Sequence, residues 1–121
     1  MRRIALVVGT LVMLLACGGT EPDAGPVVAR LSAEALFEER EANATRFDAE
    51  YKGKRVTVYG TIDRIDNGKV YLEVSWLSDV VLDDLTDEEM IPLNAGDQFT
   101  ATCVVGNFVM AQMFLDDCLA G

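Results

Sequence analysis

"RVTVYGTIDRIDNGKVYLEVSW", residues 55–76, changes face with every second residue. Val56, Val58, Gly60 and Ile62 point one way and Arg55, Thr57, Tyr59, Thr61 and Asp63 the other, which is the period of a half-buried strand. Val70, Leu72, Val74 and Trp76 repeat the alternation after Asp66-Asn67-Gly68. An Asn-Gly pair favours a two-residue turn, yet pairing Asp66 with Lys69 would set Asp63 against Leu72 and Ile62 against Glu73. A three-residue loop, Asp66-Asn67-Gly68, instead opposes Arg64 to Val70, Ile62 to Leu72 and Gly60 to Val74. It keeps the apolar faces together, with Gly68 in the left-handed position of a bulge. On this register Trp76 shares the parity of the core positions and is expected inside.

Upstream, Ser32 is placed to cap a helix, and Glu34 lies in the first turn where the helix dipole favours an acid. Leu36, Arg40, Asn43, Phe47 and Tyr51 recur at helical spacing, and Leu36, Phe47 and Tyr51 share an apolar face. Lys52-Gly53-Lys54 ends that helix. Downstream, "DVVLDD" (79–84) reads as a third strand, and Thr86-Asp87-Glu88-Glu89 fits a capping box that starts a short helix. "QFTATCVV" (98–105) is a fourth strand with Phe99, Ala101, Cys103 and Val105 inward. A loop near Gly106-Asn107 leads to a fifth strand within Ala111–Cys118, where Met110 and Met113 are expected to pack in the core or at a barrel end. The expected fold is mainly β: a five-stranded OB-like barrel with an N-terminal helix and a short helix between strands three and four.

The start of the chain has a different character. Arg2 and Arg3 precede 13 mostly apolar residues, Ile4 to Ala16, fewer than the roughly 20 of a bilayer-spanning helix. A secretory signal is the better fit. Leu14-Leu15-Ala16-Cys17 resembles the lipobox of bacterial lipoproteins, which implies a diacylglyceryl group on the Cys17 thiol and cleavage before it. Gly18 after that cysteine, with no aspartate there, implies sorting to the outer membrane. The expected organisation is a lipoprotein signal peptide at 1–16, the lipidated cysteine and a flexible tether at 17–30, and an OB-like domain at 31–121. Thirteen flexible residues, Gly18 to Arg30, would hold the domain about 20 Å from its anchor. The expected location is the bacterial cell envelope, lipid-anchored and facing the periplasm.

Three cysteines in an exported chain leave one over. Acylation of Cys17 leaves Cys103 and Cys118 as an even pair, which an oxidising compartment would join if their Cα atoms lie about 4.4 to 6.8 Å apart. Two buried free thiols are the alternative.

The formal charge is −10, and −12 without residues 1–16, which carry two arginines and no acid. Such a charge opposes polyanions. The run from Leu36 through Asn43 and Phe47, "YKGKRVTVYGTIDRI" (51–65), "LNAGDQFTATCVVG" (93–106) and "LDDC" (115–118) resembles the bacterial tRNA anticodon-binding-like OB-fold family, small exported proteins and lipoproteins. The resemblance covers roughly residues 31 to 119. It implies the barrel and carries no established function.

Nucleic acid is a disfavoured partner. Lys52, Lys54, Arg55, Arg64 and Lys69 do cluster against only Asp63 and Asp66, with Tyr59 and Tyr71 outward nearby, as a stacking groove would need. Asp79 to Asp97, however, carries seven acids and no base, where a phosphate backbone would have to lie. A protein or glycan surface on Tyr59, Arg64 and Tyr71 is the sharper alternative to plain cross-strand packing of the tyrosines. An EF-hand begun at Asp79 would put Asp84 and Met90 where glycine and glutamate belong, so no metal is expected. The chain has no histidine, hence no His-dependent triad or imidazole metal site. Adjacent acids such as Asp83-Asp84 and Asp116-Asp117 would point to opposite faces of a strand. No catalytic residue and no cofactor is expected. The expected role is a non-catalytic binding or envelope-assembly accessory, with a purely structural lipoprotein as the alternative.

Overall fold

A computed structural model describes residues 24–121 of the chain. Cys17, the segment 1–16 and residues 18–23 of the expected tether lie outside the described residues. The elements run β1 (Val27–Ser32), α1 (Ala33–Ala42), α2 (Ala44–Tyr51), β2 (Arg55–Asp66), β3 (Lys69–Ser75), β4 (Ser78–Leu82), α3 (Asp87–Met90), β5 (Gln98–Val109) and β6 (Gln112–Ala120). Five strands close into a barrel in the order β2-β3-β4-β6-β5, with β5 returning to β2, and β1 adds a sixth strand to the edge of β2. The expected mainly-β barrel is present, with the short helix α3 between the third and fourth barrel strands.

β2 does most of the joining. Its first half pairs antiparallel with β5, from Arg55↔Val104 to Thr61↔Gln98, and its second half with β3. β1 runs parallel to it, from Val27↔Arg55 to Ser32↔Tyr59. The expected tether therefore ends too late. Val27 to Arg30 belong to a strand, because the exposed half-edge of β2 below β3 offers backbone partners that an apolar-polar run can take.

Helix α1 begins as expected: Ala35 N donates to the Ser32 Oγ at 3.0 Å, a cap whose loss costs about 1 kcal/mol. The single expected helix is two. Asn43 leaves the helical conformation and caps α2 with its own side chain, accepting from Arg46 N at 2.9 Å, so the chain turns between Leu36 and Phe47 and both are buried. Ala33, Leu36 and Phe37 join the barrel core, which Val56, Val58, Ile62, Val70, Leu72, Val80, Leu82, Val105, Met113 and Leu115 fill. The capping box at α3 is complete: Glu89 N donates to the Thr86 Oγ1 at 3.1 Å and Thr86 N to the Glu89 Oε1 at 2.8 Å.

One-residue bulges correct the expected registers. β2 and β3 meet in a two-residue turn at Asn67-Gly68, both with positive φ, and Asp66 does pair with Lys69. The parity conflict is resolved further down, because the register shifts between Ile62 and Arg64. Asp63 is the extra residue, Ile62 still faces Leu72, and Arg64 faces Tyr71 rather than Val70. A second shift, between Glu73 and Ser75, precedes the β3–β4 turn Trp76-Leu77. The strand thus ends before Trp76, which is 91% exposed rather than in the core. β5 runs past the expected loop at Gly106-Asn107, which is a bulge opposite Phe114, and turns at Met110-Ala111. Met113 is buried as expected, but Met110 is 90% exposed at that tip. Small barrels need such bulges to curve their strands.

Cys103 and Cys118 are joined by a disulfide, their Cα atoms 4.1 Å apart, a little closer than the expected span. They face each other where the β5–β6 register slips by one residue, with Asp117 at a φ of 51° taking up the extra length. Both are buried.

Candidate binding surface

The bulge at Asp63 builds the outward face of β2–β4. By turning Arg64 toward Tyr71, it lets the guanidinium lie 3.8 Å from the centre of the Tyr71 ring, close cation–π range. The Arg64 Nη1 also donates to the Asp63 Oδ2 at 3.2 Å and to the Asp79 Oδ2 at 3.3 Å. Asp79 is buried, and burial pushes its carboxyl above the usual carboxylate range; Asp63 adds to the rise, and Arg64 opposes it. One cation is thus held by a ring and two carboxylates. Next along the same face, the Lys69 Nζ donates to the Asp83 Oδ1 at 3.0 Å.

Two of the five expected cations, Arg64 and Lys69, are therefore matched by acids from β4 and the residues after it. The other three stand elsewhere. The Lys54 Nζ donates to the Ala49 carbonyl at 3.4 Å, the Arg55 Nε donates to the Gly25 carbonyl at 2.9 Å, and Lys52 is exposed where α2 passes into β2. No continuous basic groove joins them. Tyr71 has one face covered by Arg64, so it is a filled platform rather than one open to a base.

Tyr59 does not join Arg64 and Tyr71. Five residues along β2 put it roughly 16 Å from Arg64 at about 3.3 Å per residue. It lies between Ser32 of β1 and Thr100 of β5, with the Arg30 guanidinium 5.1 Å from its ring centre. Beside it, a hollow of about 260 Å³ opens where β3 parts from β2, lined by Ser32, Glu34, Tyr59, Thr61 and Glu73. Its two glutamates repel phosphate. Gly60 faces the start of α1 closely: a Cβ on it would sit 3.4 Å from the Ala33 Cβ.

Two features escape sequence reasoning. Asp79 is legible as an acid but becomes the partner of Arg64 only through the β3–β4 pairing. The turns Trp76-Leu77 and Met110-Ala111 stand side by side, because β4 and β6 run parallel with Asp79 opposite Gln112. Trp76, Leu77 (66%), Val109 (49%) and Met110 are all exposed there. The signal that could have found them is the absence of any barrel partner for residues at a hairpin tip.

Among the described residues no group of three or more His, Cys, Asp and Glu side chains converges as a metal site, and no helix is long and apolar enough to cross a membrane. The model of the family described as tRNA_anti-like matches residues 19–119, and no curated protein matches the chain.

Proposed function

The chain belongs to the tRNA_anti-like family, and from that premise we propose that it is a lipid-anchored extracytoplasmic domain acting as a non-catalytic binding or envelope-assembly accessory. The observation that carries the reading is the Cys103–Cys118 disulfide. Such bonds belong to oxidising compartments, and this one leaves Cys17 as the odd thiol at the end of the apolar run. The domain works at the bacterial cell envelope, held by acylated Cys17 at the outer membrane and facing the periplasm.

Its binding face is the Arg64–Tyr71–Asp79 cluster. A protein or glycan of the envelope suits a partly exposed ring backed by a guanidinium with acids on either side, since each offers donors and acceptors for such a surface. A single-stranded oligonucleotide suits it badly. It would have to displace Arg64 from Tyr71 and lay its phosphates beside Asp63, Asp66, Glu73 and Asp79.

Crosslinking in intact cells followed by mass spectrometry tests the reading. A specific partner recovered with the native chain and lost with Tyr71→Ala is the expected result. Abundant nonspecific neighbours alone would favour a purely structural lipoprotein. Labelling with palmitate tests the anchor, and Cys17→Ser is expected to abolish the label and release the chain from the membrane.

A further inference from the structure

The strand directions sort the barrel into two ends. β1 and β2 are parallel, β4 and β6 are parallel, and β3 and β5 run against them. The starts of β1, β2, β4 and β6 therefore share one end. That end receives the chain from its N-terminal segment, and it carries both apolar turns. Trp76 and Leu77 precede β4, Met110 precedes β6, and the parallel register of Asp79 with Gln112 keeps the two tips together. Val27 and Val28 are exposed as well, at the start of β1.

We propose that this end of the barrel docks on the bilayer, with Trp76, Leu77 and Met110 entering the headgroup region. The proposal rests on the anchored reading above for how the domain reaches the membrane. Three observations favour a bilayer over a protein groove or a second copy. The exposed residues sit on protruding turn tips, a convex shape that a soft interface admits without a matching hollow. Their chemistry is that of an interface: an indole, which prefers the boundary between water and hydrocarbon, beside Leu, Val and Met. Finally, ten residue steps separate Cys17 from Val27 and span at most about 36 Å, so an acylated Cys17 would hold the start of β1 within that reach of the membrane.

Trp76 is the only tryptophan in the chain, so tryptophan emission, excited selectively over the tyrosines, reports on the proposed contact. The processed protein, extracted from cell membranes, is reconstituted in phosphatidylethanolamine–phosphatidylglycerol vesicles with and without brominated acyl chains, and mass spectrometry of the same sample reads Cys17. The expected result is a blue shift of Trp76 emission and strong quenching by the brominated lipid. The double variant Leu77→Asp, Met110→Asp should lose most of both while unfolding at an unchanged temperature. Water-like, unquenched emission in vesicles overturns the docking whatever the mass of Cys17. A blue shift that appears without vesicles and grows with protein concentration also overturns it, in favour of a second copy. Quenching with an unmodified Cys17 sustains the docking and removes the anchor.

Discussion

Two hairpins of this barrel turn in the same way with opposite means. β2–β3 turns on Asn67 and Gly68, with φ of 53° and 75°, and β5–β6 on Met110 and Ala111, with φ of 50° and 66°. Positive φ at both central residues is what a type I′ turn requires, and it matches the twist of the strands. Asn and Gly adopt it readily. Met and Ala do so at roughly 1–2 kcal/mol each. The second hairpin also carries two bulges and the disulfide, so what its turn fails to supply the cross-link provides. A hairpin can be closed at its tip or along its ladder, and this molecule does both.

The cross-link is the largest lever on that contrast. Replacing Cys103 and Cys118 together by serine is expected to remove about 3 kcal/mol, the chain-entropy value for a loop of this length, read as a lower urea midpoint. Amide exchange should then open β6 first and leave the Asn67-Gly68 hairpin protected. Equal loss of protection in both hairpins would contradict the division of labour.

Gly106→Ala comes next. An added Cβ would meet the Asp116 Oδ2 at 2.6 Å and the Phe114 carbonyl oxygen at 2.8 Å. The β5 bulge must shift, at a cost of about 1–3 kcal/mol seen in chemical unfolding. Exchanging the turns tests the tips themselves. Met110→Asn with Ala111→Gly should stabilise by about 1 kcal/mol, and Gly68→Ala should destabilise by about 1 kcal/mol. The first change should also weaken vesicle quenching of Trp76, which ties the strained tip to its proposed use.

The smallest effect is in pH. Burial, followed by the charges of Asp83, Asp84 and Asp117, pushes the Asp116 carboxyl up, and Asp79 beside the other hairpin is raised as well. Above about pH 4 the native chain still holds protons that the unfolded chain has released, so stability falls as pH rises through the raised values. Glu89 has the opposite sign. Hydrogen bonds from Ala120 N, then Thr86 N, hold it below the usual range, so the stability it contributes is complete above the ordinary glutamate value and is lost as pH falls through the lowered one. Asp116→Asn should flatten the first slope and Glu89→Gln the second, in urea midpoints measured across pH 3 to 6.

Much of the barrel was legible because alternation reports burial directly. Val56, Val58, Ile62, Val70 and Leu72 lie where their parity put them, Thr86 and Glu89 cap the helix they announce, and Cys103 meets Cys118. The failures share one cause. A bulge inserts a residue without changing its neighbours' chemistry, so nothing at Asp63 or Val74 marks the slip that sends Arg64 toward Tyr71 and leaves Trp76 on a tip. Met110-Ala111 carries no turn residue at all, and β1 depends on an edge of β2 that only the folded sheet exposes. Within the candidate surface, Arg64 and Tyr71 could be named from sequence, whereas their separation from Tyr59 and their tie to Asp79 are tertiary facts.

The parallel strand β1 also has a mechanical meaning. A load applied through the proposed anchor, in line with β1, would shear every bond of its ladder to β2 at once instead of peeling them from one end. With a partner gripping the opposite side, the domain would resist being dragged from its place far better than an edge strand of six residues would if peeled.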